Sequence, residues 1–259
     1  MVSLNSLPLL KPTLQLAASI DRPPSTHSEA FSKIPPALPP TPVALTPGSQ
    51  IAGWLSAIVY PIGRYGVLPF YFSKIEVIGQ ENLPTSGSVI LAPTHRSRWD
   101  ALLIPYVAGF DVTGRHLRFM VSNNEVKGLQ GWFIRRLGGF AIDTQRPAIA
   151  SLRHGVELLQ QGEPIVIFPE GDIFRDPNVQ PLKPGFARLA LQALSHSSGE
   201  IWIVPIHLHY SQPMVPWRSR VKVQIGTPLQ VSDYAIGSSK QNAKLLTTDL
   251  EKALQEMIG

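Results

Sequence analysis

The chain has 259 residues, 44% of them hydrophobic, with 25 prolines, 20 glycines and no cysteine. The missing thiols exclude cysteine nucleophiles, disulfide frameworks, cysteine-ligated zinc and iron–sulfur clusters, so any chemistry rests on oxygen, nitrogen or a borrowed group. The net charge of +5 favours anionic partners such as phosphorylated ligands or lipid headgroups, and residues 95–154 hold all of the excess, with nine Lys/Arg against four acids.

Residues 1–50 carry ten of the prolines, in pairs such as Pro23-Pro24, Pro35-Pro36 and Pro39-Pro40. No helix or central strand tolerates that density, so the segment reads as a disordered Pro/Ser-rich tail. It shows neither a basic start with a long apolar run nor a small-residue cleavage site, which is unlike a secretory signal.

Residues 51–72 hold fifteen apolar residues and six of the 21 aromatics, with Arg64 as the one charge. Pro61, Gly63, Gly66 and Pro69 interrupt the run, which suits a broken helical hairpin better than a membrane span of about 20 uninterrupted apolar residues. Its Trp and Tyr suit the headgroup level, so residues 51–73 are expected to lie at a membrane interface. An ordinary helix buried on the domain is the alternative.

From Lys74 onward strands and helices alternate. Strands are expected at Lys74–Gly79, Ser88–His95, Arg118–Asn123, Gly139–Asp143, Ile201–Tyr210 and Val221–Gly226, and a strand with a sharp turn at Pro164–Gly171. Helices are expected from Trp99, around Gly131–Leu137, over Pro147–Gln161 with Gly162 just past its end, over Gly185–Leu194 and near Lys240–Met257. Continuous apolar strands separated by helices predict an α/β domain over 74–259, with a mainly parallel mixed sheet flanked by helices. Ligands gather beyond the carboxyl ends of such strands. Two of those ends are unusually polar, at His95–Asp100 and at Glu170–Asp176.

Within one helix, His95 and Asp100 would be rotated apart by about 140°. If His95 closes a strand and Asp100 opens the next helix, the chain reverses and the carboxylate can meet the imidazole. Such a pair makes a general base without a nucleophile of its own, suited to activating a substrate hydroxyl. The competing reading is a helix cap, because Ser97 and Asp100 have capping-box spacing, and both can hold if different carboxylate oxygens are used. Phe168-Pro169-Glu170-Gly171 predicts a tight turn that projects a carboxylate, with Arg175 nearby as a fork for phosphate or carboxylate.

These two turns, in this order, resemble the glycerolipid acyltransferase family, whose best-known members act on lysophosphatidate. His95 and Asp100 are similar to its His-x4-Asp motif, and Phe168 to Gly171 to its Phe-Pro-Glu-Gly motif. Between them Gly138 to Asp143 is similar to the family's middle stretch, and Lys183 to Phe186 and Val204-Pro205-Ile206 to later ones, so the resemblance spans roughly 51–226. It implies transfer of a fatty acyl group from coenzyme A or acyl carrier protein to a hydroxyl of a lipid acceptor, without a covalent acyl-enzyme or a cofactor. By the same resemblance His95 is the base and Asp100 its orienting partner, while Glu170 and Gly171 hold the acceptor. Pro205 shapes the acyl side, with Phe168 and Pro169 there or purely structural. The family arginines tied to the acceptor's phosphate are displaced here, to Arg146 and Arg175, and Asp172 adds a negative charge. An enzyme on the cytoplasmic side of a membrane, with membrane and thioester donor as partners, is the expectation.

Two other readings stand beside it. His207 and His209, two apart on a strand, could join Glu170, Asp172 or His95 in a metal-dependent hydrolase; the expectation is no metal. A catalytically silent lipid-binding member of the same fold is the other. Nucleic acid is not expected as a partner, because the aromatics cluster away from the arginines.

Overall fold

The computed structural model describes residues 50–143, 149–196 and 199–258. The expected tail at 1–49, Arg146 and Pro147 lie outside them.

Eight strands form one sheet: β1 (Lys74–Ile78), β2 (Ser88–Pro93), β3 (Arg118–Ser122), β4 (Gly139–Ile142), β5 (Pro164–Val166), β6 (Ile201–Tyr210), β7 (Arg220–Ile225) and β8 (Leu229–Gln230). Their order is β1-β7-β6-β2-β5-β3-β4, with β8 paired to β6. All neighbours are parallel except β6–β7 and β6–β8. The mainly parallel mixed sheet is therefore the one expected.

Among the described residues eight α-helices accompany it: α1 (Gly53–Pro61), α2 (Leu68–Tyr71), α3 (Asp100–Ala108), α4 (Phe110–Thr113), α5 (Gly128–Arg136), α6 (Ile149–Gln160), α7 (Gly185–Leu194) and α8 (Ser239–Glu256). Alternation along β2 explains the layering. Ile90 and Ala92 join the core formed with α6, α7 and α8, while Val89 and Leu91 join that formed with α2 and α3. Gly155 lets α6 and α7 approach, because a Cβ there would meet Leu189 Cδ1 at 3.1 Å. Gly162, at φ +77°, follows α6 in the left-handed conformation that suits glycine.

The expected hairpin over 51–72 is instead one nearly continuous helical run. A π-helical turn, Ile62–Val67, joins α1 to α2, and Pro61, Ile62, Val67 and Leu68 all keep right-handed helical angles. Pro61 lacks an N–H and its ring crowds the preceding turn; widening the helix accommodates that without reversing the chain. Trp54, Ile58, Ile62 and Tyr65 form an exposed stripe at helical spacing, while Leu55 and Leu68 are buried. No helix among the described residues is long and apolar enough to cross a membrane.

The Phe-Pro-Glu-Gly stretch lies beyond β5, which ends at Val166 rather than running into the turn. Pro205 sits inside β6, where its missing N–H falls at the change of partner from β8, opposite Ile203, to β7, opposite Ile206.

Candidate active site

At the end of β2, Thr94 is pinned to β6: its N–H donates to the Ile206 carbonyl at 2.9 Å and its Oγ1 accepts from the Leu208 N–H at 3.0 Å. The chain then turns, and α3 begins at Asp100. Asp100 is fully buried and faces back towards the strand end. Its Oδ2 meets His95 Nδ1 at 2.9 Å and accepts the Arg96 and Ser97 N–H groups at 2.7 and 2.9 Å. Its Oδ1 accepts the Tyr210 hydroxyl at 2.5 Å.

The dyad forms, but the expected cap does not: α3 opens at Asp100 with Trp99 before it and no side-chain cap. Asp100 Oδ2 accepts the Ser97 N–H beside His95, while the Ser97 Oγ accepts only from the Trp99 N–H at 3.3 Å. Every group facing the carboxylate is a donor, which makes Nδ1 the protonated ring nitrogen of His95 and leaves Nε2 as an acceptor. Burial first, and then the Asp100 charge, push the Tyr210 hydroxyl pKa up, so Tyr210 donates throughout the physiological range.

His95 lines a cleft of about 710 Å³. Phe168 stacks on the imidazole, with centroids 3.9 Å apart, and lines the same cleft with Pro169 and Gly171. Gly171, at φ +77°, closes the turn by donating its N–H to the Phe168 carbonyl. A Cβ at Gly171 would lie 2.5 Å from Lys183 Nζ, so glycine also makes room for that ammonium.

Glu170 departs from expectation. Its side chain is fully buried and stands outside the cleft lining. Arg96 grips it with NH1 to Oε2 at 2.7 Å and NH2 to Oε1 at 3.0 Å, and the His95 and Gln180 N–H groups donate to it at 2.8 and 2.9 Å. Its oxygens are turned inward, so it holds the two turns together instead of meeting an acceptor. Pro205, buried in the sheet, likewise does not line the cleft. Arg175 is exposed and outside the lining.

The basic stretch is largely consumed by the fold. Arg115 donates to the Gly87 and Gly162 carbonyls, Arg118 pairs with Glu163, and Arg136 lies over Trp132. Of the cleft-lining cations, Arg98 faces Glu125 at 3.4 Å, and Arg64 donates to the Tyr106 carbonyl at 2.6 Å with Asp111 3.9 Å away. Lys183 is the third and has no ion pair among the described residues.

His207 is buried, opposite Gln224, and His209 is exposed, opposite Lys222. Burial, then Arg96, lower the His207 pKa to about 4. Among the described residues no three His, Asp or Glu side chains gather as a metal site. Arg96 and Tyr210 are site residues that spacing did not single out, and Lys183 entered only as part of the Lys183 to Phe186 stretch, without a role. Arg96 and Tyr210 reach their carboxylates across 74 and 110 residues.

A profile described as Acyltransferase matches residues 74–209, more than half of the chain. The chain belongs to the acyltransferase family. This acyltransferase is 26% identical over 188 residues to the 1-acyl-sn-glycerol-3-phosphate acyltransferase of Bacillus subtilis, covering 71% of this chain and 87% of that one. Over 150 residues it is 28% identical to the protein of the same name from Streptococcus pneumoniae, spanning 56% of this chain and 51% of that one. It matches 18% of the mitochondrial glycerol-3-phosphate acyltransferase 1 of Sus scrofa, at 28% identity over 53% of this chain. The crystal structure of the 1-acyl-sn-glycerophosphate acyltransferase PlsC from Thermotoga maritima shares its fold, with TM-score 0.61 at 19% identity over 79% of this chain and 78% of that one.

Proposed function

We propose that this acyltransferase moves a fatty acyl group from an acyl thioester, acyl-CoA or acyl carrier protein, to a hydroxyl of a glycerolipid-type acceptor, with His95 as general base. The hydrogen-bonded His95–Asp100 pair at an apolar cleft carries the reading. The acceptor hydroxyl gives its proton to Nε2 as its oxygen attacks the thioester carbonyl. Asp100 supports the imidazolium, and the tetrahedral adduct collapses by expelling the thiolate, which takes the proton from Nε2. An ester forms, a thioester breaks, and no acyl group rests on the protein.

Phe168 keeps the imidazole flat against the cleft wall and limits water beside it. Arg96 and Glu170 are positioning residues that fix the backbone on both sides of His95. An anionic group on acceptor or donor would meet Lys183 above Gly171, since Arg64 and Arg98 already face acids. The exposed stripe of residues 51–73 rests on a membrane surface, where the lipid acceptor resides. A silent lipid-binding role is disfavoured by the aligned dyad, and a metal-dependent hydrolase by the separate placements of His207, His209 and Glu170.

Thiol release measured with acyl-CoA and with acyl carrier protein, against acceptors with and without a phosphate, tests the reading. Acceptor-dependent release with matching ester formation supports it; release that yields free fatty acid alone in every combination would make the protein a thioesterase.

A further inference from the structure

The connection between β6 and β7, residues 211–219, takes no part in the chemistry above, yet its conformation is specific. Val215 at φ +47° and Arg218 at φ +68° are the non-glycine residues with left-handed backbone among those described, a costly state for side chains with a Cβ. Three bonds hold the connection against the end of the helical run. The Tyr71 hydroxyl donates to the Val215 carbonyl at 2.7 Å, the Arg218 N–H donates to the Tyr71 carbonyl at 2.7 Å, and Trp217 Nε1 donates to the Phe70 carbonyl at 3.2 Å.

That fixed shape turns apolar side chains outward. Met214 and Trp217 are 71% and 61% exposed, and Phe70, its ring 6.1 Å from that of Trp217, is 71% exposed. Arg218 and Arg220 stand exposed beside them. A loop ordered by strain and hydrogen bonds to display Met and Trp, edged by guanidinium groups, has the chemistry of an anionic lipid surface. Trp places its ring at the headgroup level, Met enters the acyl boundary, and the arginines meet phosphates.

We propose that the β6–β7 connection is a second membrane-contacting element, which places Met214 and Trp217 in the headgroup region of an anionic bilayer beside Phe70. The proposal rests on the membrane-surface reading of residues 51–73 and extends it to a part of the chain more than 140 residues away in sequence. Two separate contacts fix orientation where a single helix would permit rolling, and so hold the cleft at one angle to the acceptor's bilayer.

The test uses the full chain with vesicles of phosphatidylglycerol and phosphatidylcholine, or of phosphatidylcholine alone. Met214→Ser/Trp217→Ser should weaken co-sedimentation by about tenfold or more, from lost burial of two large apolar side chains. It should lower thiol release with a vesicle-borne acceptor to match, while release with a short-chain, monomerically soluble acceptor stays unchanged and shows that the fold is intact. Arg218→Gln/Arg220→Gln should remove the preference for anionic vesicles. If Met214→Ser/Trp217→Ser sediments like the parent while Tyr65→Ser/Phe70→Ser is lost from vesicles, the proposal fails and the reading of residues 51–73 stands. If neither pair changes sedimentation, both fail. A dimer that Met214→Ser/Trp217→Ser dissociates without any effect on vesicles would assign the patch to a second copy and also overturn the proposal.

Discussion

In the proposed reaction Tyr210, remote from the reacting atoms, holds the partner of the base. Its hydroxyl donates to Asp100 Oδ1 and fixes the carboxylate whose Oδ2 meets His95 Nδ1. Replacing it by Phe leaves a buried carboxylate one donor short, a loss of about 1.5–3 kcal/mol for a bond to a charged group. Tyr210→Phe should therefore lower the unfolding free energy by that amount and, by letting the carboxylate turn away from His95, lower kcat by about 10- to 100-fold with KM little changed. A fall in melting temperature with kcat unchanged would make Tyr210 merely structural.

At the scale of elements, the site depends on two turns held in register. The Arg96–Glu170 pair joins the turn after β2 to the turn after β5, and the Phe174 N–H donates to the His95 carbonyl at 2.8 Å across the same seam. Removing one member of such a pair strands the other in the interior. Arg96→Met should cost about 3–5 kcal/mol of unfolding free energy in urea titration, far more than an exposed pair such as Lys252–Glu256 would. A loss below about 1 kcal/mol would show the pair to be dispensable. The seven longer strands, helices α3 and α5 to α8 and the His95–Asp100 contact were legible in the sequence, because apolar period and a five-residue spacing are local signals, whereas the two-residue β8 and the four-residue α4 are too short to carry a period. The inward turn of Glu170 was not, since nothing near it in the chain reveals that Arg96 lies opposite. The π-helical joint was also hidden, because Pro61 and Gly63 break a helix by propensity, whereas packing of Leu55 and Leu68 keeps this one continuous.

For the molecule as a whole, the basic excess supports the fold more than it attracts a ligand, and two of its arginines, Arg96 and Arg118, bear on the buried His207 and the half-buried His116 and His154. His207 is held neutral, its pKa lowered from 6.5 to about 4 by burial and then by Arg96 and His209. In the unfolded chain it takes a proton near pH 6.5, so the unfolded state binds more protons between these values and stability falls as pH drops from about 6.5 to about 4. His116 and His154, also shifted down by burial, act in the same direction. His207 alone corresponds to about 3 kcal/mol across that window. Urea titrations at pH 7 and pH 4.5 should show the loss in the parent and a smaller one in His207→Gln; equal losses would remove His207 from the account.

In the proposed reaction an imidazole, steadied by a buried carboxylate, deprotonates the acceptor while the protein itself is never acylated. Single-turnover thiol release by His95→Ala, with mass spectrometry of the intact protein during turnover of the parent, tests it most directly. A fall of about 10²- to 10⁴-fold in the variant and no acylated chain in the parent are expected. Near-normal release by the variant, or a chain carrying the acyl group, would contradict it.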